Sequence, residues 1–231
     1  MALVQAAPGS AAIGHEFVEL FERRLTSAGV EVRFETEAET EMLLDLEPDA
    51  VVVATGARPF VPDLALDGVE VMQAWDVLAL GAPRSLRAVV ADWGGDPSGL
   101  DVAEVLALAG NEVTLAVQAV TAGEPVHSYR RNLYLQRLYR AGVTIVQHHA
   151  LAGASVGEVE LSNVFAPELS VRIPADLLVL AQGRVPVDEL GQALVAARIQ
   201  VEEAGDCRSP RSLEEAVLEG TLAARRMLAL A

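Results

Sequence analysis

Apolar positions Phe17, Leu20, Phe21 and Leu25 recur at the three- and four-residue spacing of one helix face, which predicts a helix over 16–27. Gly29 follows, where a chain leaving a helix favours a residue that tolerates positive φ. The pattern then changes. Residues 30–34 read as a strand and 39–46 as a short helix, while 50–54 form a continuous apolar run, rich in β-branched residues, that enters a tight turn at Thr55-Gly56. Such a run suits a strand buried on both faces. Pro59 and Pro62 mark a connection.

A second strand at 87–91 runs into Gly94-Gly95-Asp96-Pro97-Ser98-Gly99 and a helix over 100–109, closed by Gly110. A strand at 112–117, a helix at 132–140 and a strand at 143–147, just after Gly142, repeat the rhythm. Segments 158–165 and 169–173 suit an antiparallel hairpin, 177–181 a buried strand and 212–230 a closing helix. Strand and helix in alternation predict an α/β protein with parallel sheets covered by helices on both faces, since parallel neighbours need a crossover that a helix supplies.

At 231 residues the chain can bury the core of one large domain or two small ones. The apolar runs, such as 50–54 and 177–181, are about five residues long, far short of a bilayer span. The first residues carry neither a basic region nor a sustained apolar stretch. A soluble, cytoplasmic protein without a membrane partner is expected. A net charge of −16 opposes docking on nucleic acid or anionic lipid. One cysteine, Cys207, excludes an internal disulfide and any multi-cysteine zinc or iron–sulfur site built from this chain alone.

Two segments at opposite ends of the chain carry the candidate chemistry. The first is Val51-Val52-Val53-Ala54-Thr55-Gly56-Ala57-Arg58-Pro59. The second is Ala204-Gly205-Asp206-Cys207, followed by Pro210-Arg211, by Glu215-Ala216-Val217-Leu218-Glu219-Gly220 and by Ala223-Ala224-Arg225. Each alone reads equally as an ordinary turn, a strand end at Thr55-Gly56 and a helix entry at Gly205-Asp206. Together, and in this order, they resemble the C-terminal half of the NADH:flavin oxidoreductases of the 2,4-dienoyl-CoA reductase and trimethylamine dehydrogenase type. The resemblance covers nearly the whole chain.

It implies a Rossmann-like fold with two dinucleotide-binding units: an FAD-type unit of residues 1–83 and 179–231, and an inserted NAD(P)-type unit of residues 84–178. Ala54, Thr55 and Gly56 would pass close to FAD, the glycine removing a Cβ from the approach. Asp206 would accept hydrogen bonds from ribityl or ribose hydroxyls. Leu213 and Glu214 would stand at a helix N-terminus suited to phosphate or the flavin edge. The implied activity passes electrons between a nicotinamide or other carrier and a flavin/iron–sulfur barrel on another chain or on a missing N-terminal segment. The iron–sulfur cluster would belong to that barrel. No catalytic acid, base or nucleophile is nominated in this chain. An alternative of a different class is a non-catalytic interaction or structural module that keeps the fold without cofactor turnover.

The chain departs from the family pattern at both nucleotide sites. The strand, G-x-G-x-x-G turn and helix that normally open the FAD half are absent, and residues 1–9 resemble the segment just after that unit. The FAD site is therefore expected to be incomplete and the sheet edge beside it apolar. Met1 is either the start of one chain of a split enzyme or an internal methionine, and both readings stay open. In the second site Gly94, Gly95 and Gly99 do not give G-x-G-x-x-G, and Asp92, Asp96 and Asp101 crowd carboxylates around a turn meant for a diphosphate. The strand over 112–117 runs into Gln118, Ala119 and Val120, with no acid or arginine to select NAD or NADP. NAD(P)H is thus the second cofactor that the resemblance allows.

Three further features read as structural. His148 and His149 have no cysteine or carboxylate at ligand spacing and read as a strand end, not a metal site. Cys207 lacks a C-x-x-C partner and reads as a loop cysteine. Tyr129, Tyr134 and Tyr139, with Arg130, Arg131, Arg137 and Arg140, form one basic and aromatic stretch. Compensation of a helix dipole accounts for part of it, and a contact to a nucleotide phosphate or an adjacent barrel is the other reading.

Overall fold

The computed structural model describes residues 6–8 and 11–229. The resemblance carried by residues 1–9 therefore lies mostly outside the described residues, as does the last residue of the closing helix expected at 212–230. In chain order the elements are α1 (Ala11–Ser27), α2 (Thr40–Asp45), β1 (Val51–Val53), β2 (Ala57–Pro59), β3 (Glu70–Gln73), α3 (Ala74–Leu80), β4 (Arg87–Asp92), α4 (Ser98–Leu108), β5 (Glu112–Val117) and α5 (Ser128–Arg140). Then come β6 (Thr144–Gln147), β7 (His149–Ser155), β8 (Glu158–Asn163), β9 (Ala166–Pro174), β10 (Leu177–Ala181), β11 (Arg184–Pro186), α6 (Glu189–Ala196), β12 (Val201–Glu203), a 3-10 turn (Gly205–Cys207) and α7 (Leu213–Leu228).

The chain divides into two compact units, one of residues up to Val30 with Val61–Gly183, the other of Glu31–Phe60 with Arg184–Ala231. In the first unit five parallel strands lie in the order β3-β10-β4-β5-β6. Because β3 pairs with β10 at one edge of this sheet, the unit takes in residues well before position 84. Strands β4 and β10 are buried almost end to end, as their unbroken apolar runs require. One face carries Ala88, Val90, Leu115, Val117, Leu177 and Val179 against α3, α4 and α5. The other carries Val89, Ala91, Ala116, Leu178 and Leu180 against Leu151, Val159 and Leu161 of the antiparallel sheet β7-β8-β9. The fold is Rossmann-like α/β, with a β-meander as the second covering layer of this sheet. The hairpin expected at 158–173 is the β8–β9 pair of that meander, and β7 adds a third strand.

The second unit is smaller. Its β1 and β12 pair in parallel, with Val51 opposite Val201, and β2 pairs antiparallel with β11. Val53, Leu194 and Cys207 are buried together, with Leu43, Val51, Leu190, Ile199 and Val201 packed around them. Ser212 caps α7 through a capping box: its hydroxyl accepts from the amide of Glu214, and the Glu215 carboxylate accepts from Ser212.

Residues 30–34 form no strand. Their alternation of apolar and polar residues supplies a face to bury, but a strand also needs a backbone neighbour, and none pairs with them among the described residues. Val32 and Phe34 are left exposed.

Candidate functional site

Parallel pairing of β1 with β12 brings the two sequence motifs together, although about 150 residues separate them. Ala54, Thr55 and Gly56 leave the carboxyl end of β1, and Gly205-Asp206 leaves the carboxyl end of β12, tied to it by the amide of Ala204 on the carbonyl of Val53 at 3.0 Å. Gly56 (φ +80°) and Gly205 (φ +75°) both adopt the left-handed conformation that a side chain would strain. Space around Gly56 is open, a Cβ there meeting no atom within 4 Å. The Thr55 hydroxyl donates to the carbonyl of Val187, whose amide in turn donates to the carbonyl of Gly56 at 3.0 Å.

Asp206 is not a free carboxylate. Its Oδ2 accepts from Nη1 of Arg184, and its Oδ1 accepts from the amide of Arg211 at 3.1 Å. Arg184 also donates through Nη2 to the carbonyl of Arg211 at 2.9 Å. A carboxylate has about four acceptor positions, so two remain for hydroxyl donors. Beneath it Glu219 is buried and accepts from the amide of Gly205 at 2.8 Å and from the guanidinium of Arg211, with Arg208 at 3.6 Å. Those donors, the Gly205 amide first, hold the Glu219 carboxyl below the usual carboxylate range. Leu213 and Glu214 open α7. Cys207 is buried, its thiol on the carbonyls of Val53 and Ala204 at 3.2 and 3.3 Å, so it is a core residue.

This arrangement fits the ribityl or ribose end of a dinucleotide: an open, Cβ-free approach at Gly56 beside a fixed carboxylate with acceptor capacity to spare. Bracing of Asp206 by Arg184, and of the turn by Glu219, was not read from the sequence. A signal existed for Arg184, an arginine just past the buried strand and Gly183, but its partner lies 22 positions away.

The inserted sheet offers a second turn. Its strand order reverses between β4 and β10, the place where open α/β sheets form a ligand crevice. Gly94, Gly95 and Gly99 gather there with Asp92, Trp93 and Asp96. Asp92 is 1% exposed, its Oδ1 accepts from the amide of Gly94 at 2.8 Å, and its Oδ2 has no partner. Burial pushes this carboxyl up to about 7, the Gly94 amide opposing and the nearby charge of Asp96 adding to the rise. Asp96 accepts from the amide of Ser98 at 2.8 Å and from its hydroxyl.

The remaining candidates lie in the first unit. His149 contacts the carbonyl of Gln147 through Nδ1 at 2.7 Å, and His148 meets the ring of Phe165 edge-on. No cluster of metal ligands occurs among the described residues. Arg137 pairs with Glu104 and lies over the ring of the buried Tyr134, which places part of the basic, aromatic stretch in the α4–α5 interface. No helix among the described residues is long and apolar enough to cross a membrane.

A parallel α/β sheet with two strand-end turns of this kind defines a dinucleotide-binding domain of the flavin-dependent oxidoreductase type. The sequence matches the model of the pyridine nucleotide-disulphide oxidoreductase family over residues 31–211, and the chain belongs to that family. An NADH oxidase of Thermoanaerobacter brockii is 32% identical over 227 residues, which cover 94% of this chain and 34% of that protein. Among solved structures, a 2-naphthoyl-CoA reductase (24% identity, TM-score 0.83) covers 95% of this chain and 33% of its own. A histamine dehydrogenase from Rhizobium sp. 4-9 (24% identity, TM-score 0.79) covers 85% and 33%. This chain spans about a third of the length of these relatives.

Proposed function

We propose that this chain is the nucleotide-binding part of a flavin-dependent oxidoreductase of the 2,4-dienoyl-CoA reductase and trimethylamine dehydrogenase type. Its second unit would hold the sugar end of FAD between Ala54-Thr55-Gly56 and Gly205-Asp206, with Leu213 and Glu214 at the flavin side. The observation that carries this reading is the convergence of those two motifs at the ends of neighbouring parallel strands. In this role Gly56 lets the ligand approach the backbone, Asp206 accepts from its hydroxyls, and Arg184 and Glu219 keep that acceptor in place. Bound FAD would supply the electron and hydride exchange.

The diphosphate cradle is not among these residues, and the flavin-binding barrel region is proposed to bring it. Strand β1 has β12 on one side and no neighbour on the other among the described residues, while Val32, Phe34 and Val52 of the same unit are exposed. An unpaired edge in a unit that exposes apolar residues suits a further strand. A flavin/iron–sulfur barrel carrying a G-x-G-x-x-G unit, on another chain or on a segment preceding these residues in the same chain, is the proposed source.

Flavin content tests this. The chain purified alone is expected to be colourless, and the same chain purified with the products of adjoining reading frames is expected to carry flavin that bleaches with a reductant and reoxidises. Flavin bound by the chain alone would refute the incomplete site. A stable complex free of flavin would refute the component reading.

A further inference from the structure

The turn after β4 lies where the inserted sheet would seat a nicotinamide dinucleotide, and the chain's own atoms fill it. Gly94, Asp96 and Gly99 stand in the register of G-x-G-x-x-G, with Asp96 at the middle glycine, where the backbone should come closest to a pyrophosphate. Gly94 and Gly99 pack closely on the protein itself, as the outer glycines of such a turn do, a Cβ on them lying 2.6 Å from the Cβ of Ala119 and from Cγ of Asp92 respectively. The covered position is Gly95, where a Cβ would run into the six-membered ring of Trp93. The Trp93 indole also packs on Gly183, just past the end of β10, so it spans the crevice between β4 and β10.

The donors are spent as well. A dinucleotide loop offers its backbone amides to the diphosphate. Here the Gly94 amide serves Asp92, and the Ser98 amide, at the start of α4, serves Asp96. A diphosphate would have to displace two carboxyl groups from these amides while meeting the charge of Asp96, in a place where no basic side chain of the turn offsets it.

We infer that Asp92, Trp93 and Asp96 close this turn against a dinucleotide, so that the chain does not seat NADH or NADPH on its inserted sheet. If the flavin reading above is right, electrons reach the flavin from a carrier held elsewhere. Closure itself does not rest on that reading, because it concerns binding alone.

The test is titration of the full chain with NADH and NADPH at neutral pH, followed by calorimetry and by hydrogen exchange at residues 92–99. No protection of those residues is expected up to about 1 mM nucleotide, the weak limit of specific binding. The double variant Trp93→Ala, Asp96→Gly is expected to gain at least about tenfold in affinity for one of the two nucleotides, with protection appearing at the turn. Asp96→Gly alone, a change confined to the partly exposed turn, should show part of the gain and serves if the double variant does not fold.

Protection of 92–99 in the unaltered chain would overturn the inference. Variants that fold yet gain no binding would also overturn it, because these side chains would then not be what closes the turn. Nucleotide binding that leaves 92–99 unprotected would support closure and place the ligand elsewhere. None of these readouts depends on flavin, so failure here is separate from failure of the proposed function.

Discussion

Arg184 donates through Nη1 to Asp206 and through Nη2 to the carbonyl of Arg211, so one guanidinium fixes both the carboxylate and the backbone that follows it. Both side chains of the ion pair are largely shielded, at 19% and 24% exposure. Arg184→Ala leaves Asp206 with the Arg211 amide as its remaining donor. The expected loss is on the order of 2 kcal/mol, as for hydrogen bonds to charged groups. In a protein of this size that lowers the thermal midpoint by roughly 4–8 °C. Arg184→Lys should recover only part, since a single ammonium does not reproduce the planar fork that serves both acceptors. Full recovery by lysine in thermal melts would show that the pairing is only a charge effect.

Stability should fall as pH rises through neutrality. Burial raises Asp92 to about 7, and it raises Asp101 to about 6 despite the hydrogen bond from Tyr134. In the unfolded chain both titrate near 4, so between about pH 4 and pH 7 the folded state holds more protons, and unfolding becomes easier as pH increases. Asp176 behaves oppositely: Arg87 depresses it to about 2, so its contribution is complete above about pH 4 and is lost only as pH falls toward 2. The slope between pH 5 and 7 is limited to about 1.4 kcal/mol per pH unit for each group. Asp92→Asn keeps an acceptor for Gly94 and should flatten much of that slope. Calorimetric midpoints at constant ionic strength that stay level or rise from pH 5 to 8 would contradict the buried state of these acids.

The sequence revealed the elements that are buried on both sides and hid those defined by pairing. Residues 177–181 were legible because a strand enclosed on both faces is apolar throughout. Strand β3, at the sheet edge, is Glu70-Val71-Met72-Gln73, and β11 and β12 are three residues each, too short for any period to register. At 30–34 the pattern was legible and the strand absent, because alternation specifies a face while a neighbour makes the strand. The site divides in the same way. Thr55-Gly56 and Gly205-Asp206 stood out as motifs, whereas Arg184 on Asp206, Glu219 under Gly205 and Trp93 over Gly95 depend on three-dimensional placement.

Two glycine-to-alanine changes within helices should have opposite signs. Gly220 lies in α7, and a Cβ there meets no atom within 4 Å, so Gly220→Ala should stabilise by about 0.5–1 kcal/mol through the lower backbone entropy of alanine in a helix. Gly99 lies in the first turn of α4, where the same change has the same propensity benefit but drives a Cβ into the buried Asp92 carboxyl. Gly99→Ala should therefore destabilise by about 1–3 kcal/mol, the usual range for overpacking. Denaturant midpoints of the two variants decide this, and a neutral or stabilising Gly99→Ala would mean that Asp92 does not lie against that turn.

Glu104 is buried, and Nε of Arg137 donates to both of its carboxylate oxygens, at 2.7 and 3.0 Å, while the guanidinium lies 4.7 Å from the centre of the Tyr134 ring. Removing the cation alone leaves Glu104 desolvated beside Asp101, which is itself buried and neighbours it on α4. Breaking such a pair typically costs about 3–5 kcal/mol, and Arg137 is one-third exposed, so the lower end of that range is expected for Arg137→Met. Replacing both partners with apolar residues of similar size removes the unpaired charge along with the pair. Glu104→Leu combined with Arg137→Met should accordingly recover most of the loss, giving a coupling of about 2 kcal/mol in a double-mutant cycle. Additive single effects would show that water already solvates Glu104 and that the pair does not hold α4 against α5.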